Sequence, residues 1–146
     1  MNINIQEDAS LSELEIQIRC PKVDEQILKI LATLHALDKK VTGEKNGQLF
    51  LLEAKNILYI DTVDKKTFFY TKNDVYETPL KLYELEEKLA GNDFFRAGKS
   101  LIINFNHIKS LKPDFGGRIG VLLSNGEKMY ISRQYASVVK EKLGLI

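Results

Sequence analysis

Three groups of polar side chains stand where the apolar pattern of the chain breaks into loops. The first two groups contain lysine or arginine, and the third is a serine followed by an arginine and a glutamine. Lysine and serine commonly hold phosphate, whereas arginine and glutamine can also hydrogen-bond the edges of nucleobases. The candidate binding residues are Lys65, Lys66, Arg96, Lys99, Ser100, Ser132, Arg133 and Gln134.

Ser132 stands where the N-cap of a C-terminal helix is expected. An uncovered helix N-terminus offers free N–H groups and the positive end of the helix dipole, which together favour phosphate. The alternative is that Ser132 is an ordinary cap and that Arg133 and Gln134 are solvated residues of the first turn. Spacing alone does not decide between these two interpretations.

Positive charge is concentrated in the last third of the chain. Residues 95–146 carry nine basic and three acidic side chains, a balance of +6, although the whole chain carries only +1. A local positive field of this kind favours a polyanionic partner. The simpler alternative is that lysines keep exposed strands soluble.

No motif supports catalysis or a bound cofactor. The chain has neither a phosphate-binding glycine loop nor the HExxH pattern of zinc proteases. Cys20, His35 and His107 are too few for a structural zinc site. The acidic run at residues 84–87 is typical of a solvated helix face. We therefore expect a protein that is not an enzyme and needs no metal, cofactor or small-molecule substrate.

Length and composition indicate an ordinary globular protein of the cytoplasm. A chain of 146 residues, 44% hydrophobic, can close a core of its own. No stretch approaches the roughly 20 apolar residues that span a bilayer, and the first ten residues do not resemble a signal peptide.

The first 44 residues are expected to form a small strand-strand-helix cap. The runs NINI (residues 2–5) and LEIQI (residues 14–18) alternate apolar and polar residues, which predicts an opening hairpin. A helical periodicity follows over residues 22–39, and the turn-rich residues 42–47 are expected to connect this cap to the main domain.

The rest of the chain, residues 45–146, is expected to be mainly β. Short apolar runs predict strands over residues 49–53, 57–62, 67–71, 75–78, 100–105, 107–111, 118–124 and 128–132. Two helices are expected, over residues 80–90 and at the C-terminus. Asn125-Gly126 predicts a type I′ hairpin turn, and residues 64–66 predict a looser one.

Two segments closely resemble the signature of the LytTR family of bacterial DNA-binding domains. They are FFRAGKSLIINFNHIKSL (residues 94–111) and VLLSNGEKMYISRQY (residues 121–135). The family pattern sets a phenylalanine and an arginine before a basic residue and serine, then a strand, and later Asn-Gly and Ser-Arg-x-Tyr. Together with the stretch around residues 57–90, the resemblance covers about residues 45–146.

The resemblance implies an elongated fold of small β-sheets whose loops enter successive grooves of double-stranded DNA. Carried over by position, the DNA-contacting loops are residues 64–66, 97–100 and 132–134. It further implies a transcription regulator that binds repeated promoter half-sites as a homodimer. Many members have histidine where this chain has Gly98 and a basic residue where it has Gln134, so base preference is expected to differ there.

The short N-terminal cap resembles that of stand-alone family members, which lack a receiver domain. In such members a small membrane protein encoded nearby commonly restrains the regulator. The apolar face of the first helix could bind that protein or a second copy of the chain, or it could pack on the sheet.

Two rival hypotheses remain. The strands could offer an edge to a protein partner after DNA binding has been lost. Alternatively, Phe68, Phe69, Tyr70 and Phe105 could line a small-ligand pocket, although aromatic residues of this kind more often fill a core.

Overall fold

The computed structural model describes residues 1–38, 40–91 and 93–144. It divides the chain into two compact units, residues 1–34 and residues 35–146. Within the described part of the chain, no helix is both long and apolar enough to cross a membrane. The two units are described separately below.

The first unit contains no strand, so the predicted opening hairpin was wrong. Residues 1–20 form only isolated turns, and Ile3 and Ile5 are 82% and 87% exposed. Alternation of apolar and polar residues predicts a strand only when another strand supplies hydrogen bonds and an apolar face. No described residue does so here, and the predicted cap retains only its helix.

The predicted first helix is confirmed as α1 (Glu25–Asp38). It begins later than residue 22 because the Asp24 carboxylate accepts a hydrogen bond from the Ile27 amide (3.1 Å), as an N-cap residue does. Lys39, which we expected to end this helix, lies outside the described residues.

The second unit is mainly β, as predicted. Its strands are β1 (Lys40–Lys45), β2 (Gln48–Glu53), β3 (Tyr59–Val63), β4 (Lys66–Tyr70), β5 (Val75–Thr78), β6 (Phe94–Gly98), β7 (Leu101–Asn104), β8 (Ile108–Pro113), β9 (Ile119–Leu123) and β10 (Lys128–Ile131). The helices are α2 (Leu82–Lys88) and α3 (Arg133–Lys142). Each strand predicted from residue 48 onward is confirmed, with ends shifted by at most two residues.

The strands form two antiparallel sheets. One has seven strands in the order β2-β1-β5-β4-β3-β7-β6, and the other has three in the order β10-β9-β8. Both faces of the larger sheet are buried around β3 and β7, because neighbouring residues of these strands alternate between two cores. Ile60 and Ile102 pack with α2 on one face, whereas Tyr59 and Ile103 pack with the smaller sheet and α3 on the other.

The sequence patterns missed two strands. β1 lies where we predicted a connector, and its Gly43 fits against Tyr76 so closely that an added Cβ would lie 2.6 Å from the Cβ of Tyr76. β6 lies partly where we predicted a loop at Ala97 and Gly98, because a bulge after Arg96 shifts its register. A strand with few apolar residues and a strand with a bulge both lack a regular period-2 pattern.

The turn predictions must be reversed. Only Gly126 of the Asn125-Gly126 pair has positive φ (90°), so that connection is not a type I′ turn. Asp64 and Lys65 instead both have positive φ (51° and 67°), and Val63 pairs directly with Lys66. The predicted looser turn is therefore a tight two-residue hairpin.

Three of the four aromatic residues considered for a ligand pocket, Phe69, Tyr70 and Phe105, contribute to the cores. Phe69 is fully buried on the α2 side of the larger sheet. Tyr70 and Phe105 pack against the opposite core, and Phe105 meets Phe95 edge-on with ring centroids 6.0 Å apart.

Candidate nucleic-acid interface

Two of the predicted binding loops lie at the same end of the larger sheet. β3 is the common neighbour: it forms a hairpin with β4 and also pairs antiparallel with β7. The turn at Asp64–Lys65 follows β3, and Lys99–Ser100 lies directly before β7. The Thr62 amide donates to the Ser100 carbonyl (3.0 Å), which fixes the two turns side by side.

The third predicted loop is joined to the same end through β6. The Ser132 amide donates to the carbonyl of Ala97 (2.8 Å), the bulged residue just before the Lys99–Ser100 turn. The N-terminus of α3 is therefore held beside that turn. We call the surface formed by residues 64–66, 99–100 and 132–134 the loop end.

The loop end carries free hydrogen-bond donors. Ser132 has the extended conformation of an N-cap residue (φ −65°, ψ 154°), but its side chain makes no capping hydrogen bond. Its carbonyl accepts from the amides of Tyr135 (3.0 Å) and Ala136 (2.9 Å). Among the described residues, the amides of Arg133 and Gln134 meet no acceptor, and both side chains are exposed. This arrangement suits an anion.

The lysines of the loop end differ little in availability. Lys65 and Lys99 are exposed and form no ion pair with any described carboxylate. Lys66 lies 3.8 Å from the Glu77 carboxylate, with both side chains largely exposed. Such a surface pair is worth about 0–1 kcal/mol, so an approaching phosphate can compete for this lysine.

Arg96 is arranged differently, because its guanidinium is turned back onto the protein. Its Nε donates to the Gly98 carbonyl (2.7 Å) and its Nη2 to the Lys99 carbonyl (2.6 Å), while its Nη1 pairs with Glu86. The side chain is only 20% exposed. We expected the cations before β7 to point outward, and Arg96 does not; it braces the Lys99–Ser100 turn.

Arg133 rests its aliphatic stem on a glycine. Gly117 has φ +84°, and a Cβ built there would lie 3.3 Å from the Arg133 Cγ and 3.5 Å from its Cδ. A side chain at this position would displace the arginine, so Gly117 provides the space that the stem occupies. Sequence patterns did not reveal this contact because the two residues belong to different elements.

Arg118, which sequence reasoning did not single out as a candidate, stacks on an aromatic side chain of the smaller sheet. The Arg118 guanidinium lies 4.0 Å from the centroid of the Tyr130 ring, and its Nε donates to the Asp114 carboxylate (2.9 Å). A backbone hydrogen bond at Phe115, together with Arg118, holds the pKa of Asp114 below its ordinary value. The +6 balance predicted cations in this region but not their stacking.

Titratable groups at the other end of β3 are bonded to one another. The Tyr59 hydroxyl donates to the Glu127 carboxylate (2.8 Å), and the Tyr59 and Tyr70 rings stack with centroids 4.3 Å apart. Burial raises the pKa of Tyr70 to about 12 and also raises the pKa values of Tyr59 and Asp61. The raised pKa values mean that burial disfavours the ionised form of each of these three groups, which suits a structural role. Among the described residues, no three side chains that could bind a metal ion lie together.

The geometry agrees with a family comparison. The model of the LytTr DNA-binding domain family matches residues 47–144, and the chain belongs to this family. A solved LytTr DNA-binding domain from Bacillus cereus is similar to the chain with a TM-score of 0.70 and 29% identity, covering 73% of this chain and 97% of that domain.

Relatives of similar length occur in Staphylococcus aureus. A protein of strain COL, named as an uncharacterized HTH-type transcriptional regulator, is 29% identical over 147 residues, which cover 99% of each chain. The corresponding protein of strain MRSA252 has the same description and is 28% identical over the same length. The likeness therefore includes the N-terminal unit as well as the family domain.

Proposed function

We propose that the chain is a transcription regulator that binds double-stranded DNA sequence-specifically through the loop end. Lys65, Lys66, Lys99 and Ser100 hold phosphates, and the α3 N-terminus at Ser132 binds one more. Arg133 and Gln134 enter the major groove and contact base edges. Arg96 acts as a positioning residue that keeps the Lys99–Ser100 turn in place.

The observation that carries this proposal is the gathering of three separate loops at one end of one sheet. The β3-β4 and β7-β6 hairpins are neighbours in the strand order, so the centres of their turns are separated by two strand spacings, about 10 Å. The major groove of B-DNA is about 12 Å wide. Both turns can therefore reach backbone at one groove while α3 presents Arg133 beside the β6-β7 turn.

Binding to repeated half-sites by two copies is supported by the small number of cations on one loop end. Three lysines, Lys65, Lys66 and Lys99, are proposed to hold phosphates there. Neutralising three phosphates gives a slope of log affinity against log salt of about −2.7, and two copies on adjacent half-sites double it. The second copy supplies the affinity that one small module lacks.

The decisive experiment is anisotropy titration of labelled DNA from upstream of the chain's own gene, followed by selection from a random DNA pool. Arg133→Ala is expected to weaken specific binding about 5- to 150-fold and to relax preference at one or two positions. Lys142→Ala, an exposed lysine at the opposite end of α3, is the matched control. Equal affinity of wild type and Arg133→Ala would contradict the proposed groove contact.

The proposal also includes a cellular location and a protein partner that restrains the regulator. A regulator of this kind acts in the bacterial cytoplasm, where the DNA is. The exposed Leu28 and Leu31 of α1 are proposed to bind a small membrane protein encoded nearby. Copurification from detergent extracts, with Leu28→Glu as the variant, tests this contact. Retention of the partner by Leu28→Glu would count against it.

The rival is a protein-binding module that has lost DNA binding. The observation in its favour is the open edge of β2, to which no described residue outside β1 donates a backbone hydrogen bond. Partner capture that persists in high salt, without any retardation of DNA at low salt, would select this rival.

A further inference from the structure

The two edge strands of the seven-stranded sheet, β6 and β2, differ in how well they are protected against the addition of another strand. The β6 edge carries a bulge, and its Ala97 carbonyl is bonded by the Ser132 amide. The opposite edge, β2, pairs with β1 in unbroken register from Lys40↔Glu53 to Lys45↔Gln48. β2 has no proline, lysine or bulge, which are the usual means of preventing strand addition.

The exposed side chains in the middle of β2 are apolar. Leu49 and Leu51 are 74% and 70% exposed and share one face of the strand, while Phe50 and Leu52 share the other. Phe50 packs on Tyr76 with ring centroids 5.4 Å apart. An open edge and an exposed leucine pair therefore coincide on one strand, in a position where a partner strand would cover both.

The backbone of β2 is aligned for this addition. In a two-residue hairpin the pair that flanks the turn, here Lys45 and Gln48, is hydrogen-bonded, and bonded pairs alternate from there. The N–H and C=O groups of Leu49 and Leu51 consequently face away from β1. They are the groups that an added strand would use.

We propose that the added strand is β2 of a second copy, paired antiparallel about a two-fold axis at Phe50. This register sets Leu49 opposite Leu51 of the second copy on the exposed face, so two hydrogen-bonded pairs form and four leucines meet. Glu53 falls opposite Gly47 of the second copy, and no two like charges face each other. The two sheets become one continuous sheet with the same face outward on both copies.

The interface is small. Six-residue strands bury less than the roughly 1,200–2,000 Å² of stable complexes, so the dissociation constant of the dimer is expected to lie above about 1 μM. Weak pairing of this kind becomes important when DNA holds two copies at high effective concentration. This last step alone rests on the proposed function.

The test is sedimentation velocity of the full chain without DNA, from about 10 μM to 1 mM, the range that a small interface requires. Wild type is expected to shift from monomer to dimer, and Leu51→Lys to need about tenfold more protein. Val138→Lys, a substitution of another half-exposed apolar residue, is the matched control. A wild type that stays monomeric, or equal weakening by both variants, would overturn the proposal.

Register is tested by disulfide formation in a Cys20→Ser background. Phe50→Cys faces its own copy in a pair with Cα atoms about 4.5 Å apart, within reach of a disulfide. It is expected to cross-link on oxidation, whereas Gln48→Cys is expected not to. Equal cross-linking at both positions would overturn the Phe50-centred register.

Measurements of DNA affinity distinguish a failure of β2 pairing on DNA from a failure of the proposed function. Leu51→Lys should bind a single half-site like wild type and lose about tenfold in affinity for two adjacent half-sites. Unchanged affinity for two half-sites would overturn the DNA-coupled step. Failure of wild type to bind any DNA would instead refute the proposed function, while the sedimentation result would stand.

Discussion

The two ends of the seven-stranded sheet carry charge in opposite ways. At the loop end, Lys65, Lys99 and Arg133 lack carboxylate partners among the described residues. At the other end, Lys45 pairs with Asp74, and Glu127 accepts from the Tyr59 hydroxyl and the Asn125 amide. Unpaired charge, rather than the number of charged residues, therefore distinguishes the proposed binding surface from the opposite end.

The largest effect should come from reversing charge at the loop end. Lys65→Glu combined with Lys99→Glu is expected to weaken DNA binding about 100-fold or more, because like charges facing each other cost several kcal/mol. Anisotropy at fixed salt measures the loss. Lys72→Glu is the matched control, since Lys72 is exposed in the connection at the opposite end of β4. A comparable loss in that control would end the distinction between the two ends.

Arg96 provides the next largest effect, because it lies beside the loop end yet its guanidinium is bonded to protein acceptors. Arg96→Ala is expected to lower the free energy of unfolding by about 2 kcal/mol, the worth of hydrogen bonds made by a charged group. Urea denaturation measures this change. Tyr83→Phe, at an exposed α2 position, is a control that should leave stability unaltered.

The Arg96→Ala variant also distinguishes a positioning role of Arg96 from a direct contact with DNA. If it acts only by bracing the turn, the salt slope of DNA binding should be the same in Arg96→Ala and wild type, although affinity falls. A slope reduced by about one would mean that Arg96 itself neutralises a phosphate.

A smaller effect is expected from the tyrosine at the opposite end. Tyr59→Phe removes the hydroxyl that donates to Glu127, and it should lower the free energy of unfolding by about 1 kcal/mol. DNA affinity should not change. Reduced DNA affinity in a fully folded Tyr59→Phe protein would show that the two ends are coupled.

The smallest effect concerns the pH dependence of stability. Burial raises the pKa of Asp61 above its ordinary value of 3.8, and the Glu127 carboxylate adds to this rise. The folded state therefore binds the proton more tightly than the unfolded chain, so stability falls as pH rises from 3.8 through the raised pKa.

Asp61→Asn should consequently be more stable than wild type at pH 7, and the difference should shrink as the pH is lowered toward 4. Urea denaturation at the two pH values provides the measurement. A wild-type protein that is more stable than Asp61→Asn at pH 7 would contradict the raised pKa.

The fold was largely predictable where hydrophobic periodicity and packing agree. β3, β4, β7 and β9 carry apolar residues that the two cores bury, so their patterns were informative. The runs around Ile3 and Ile16 have the same pattern but no pairing strand, and a periodicity cannot reveal that absence. β1 was missed for the converse reason: its neighbours, rather than its own apolar content, hold it in the sheet.

The residues of the candidate site could be predicted from the sequence, but the different contacts that each of them makes could not. Residue type and loop position singled out both Arg96 and Arg133, and family resemblance supported both. Only the three-dimensional arrangement shows that Arg96 is held by two carbonyls and Glu86, while Arg133 lies on Gly117 with its guanidinium unpaired by described carboxylates. Contacts between distant segments leave no trace in a local pattern.

The pairing of β3 with both β4 and β7 also determines where the chain tolerates inserted residues. An extra residue in the Asp64–Lys65 turn would disturb a tip that is matched to its neighbour through Thr62 and Ser100. In the connection after β4, Asp74 pairs with Lys45 and Thr71 with Asp74, but Lys72 and Asn73 are exposed at its tip. A fluorescent label or short epitope inserted between those two residues would report on promoter occupancy without disturbing the opposite tips.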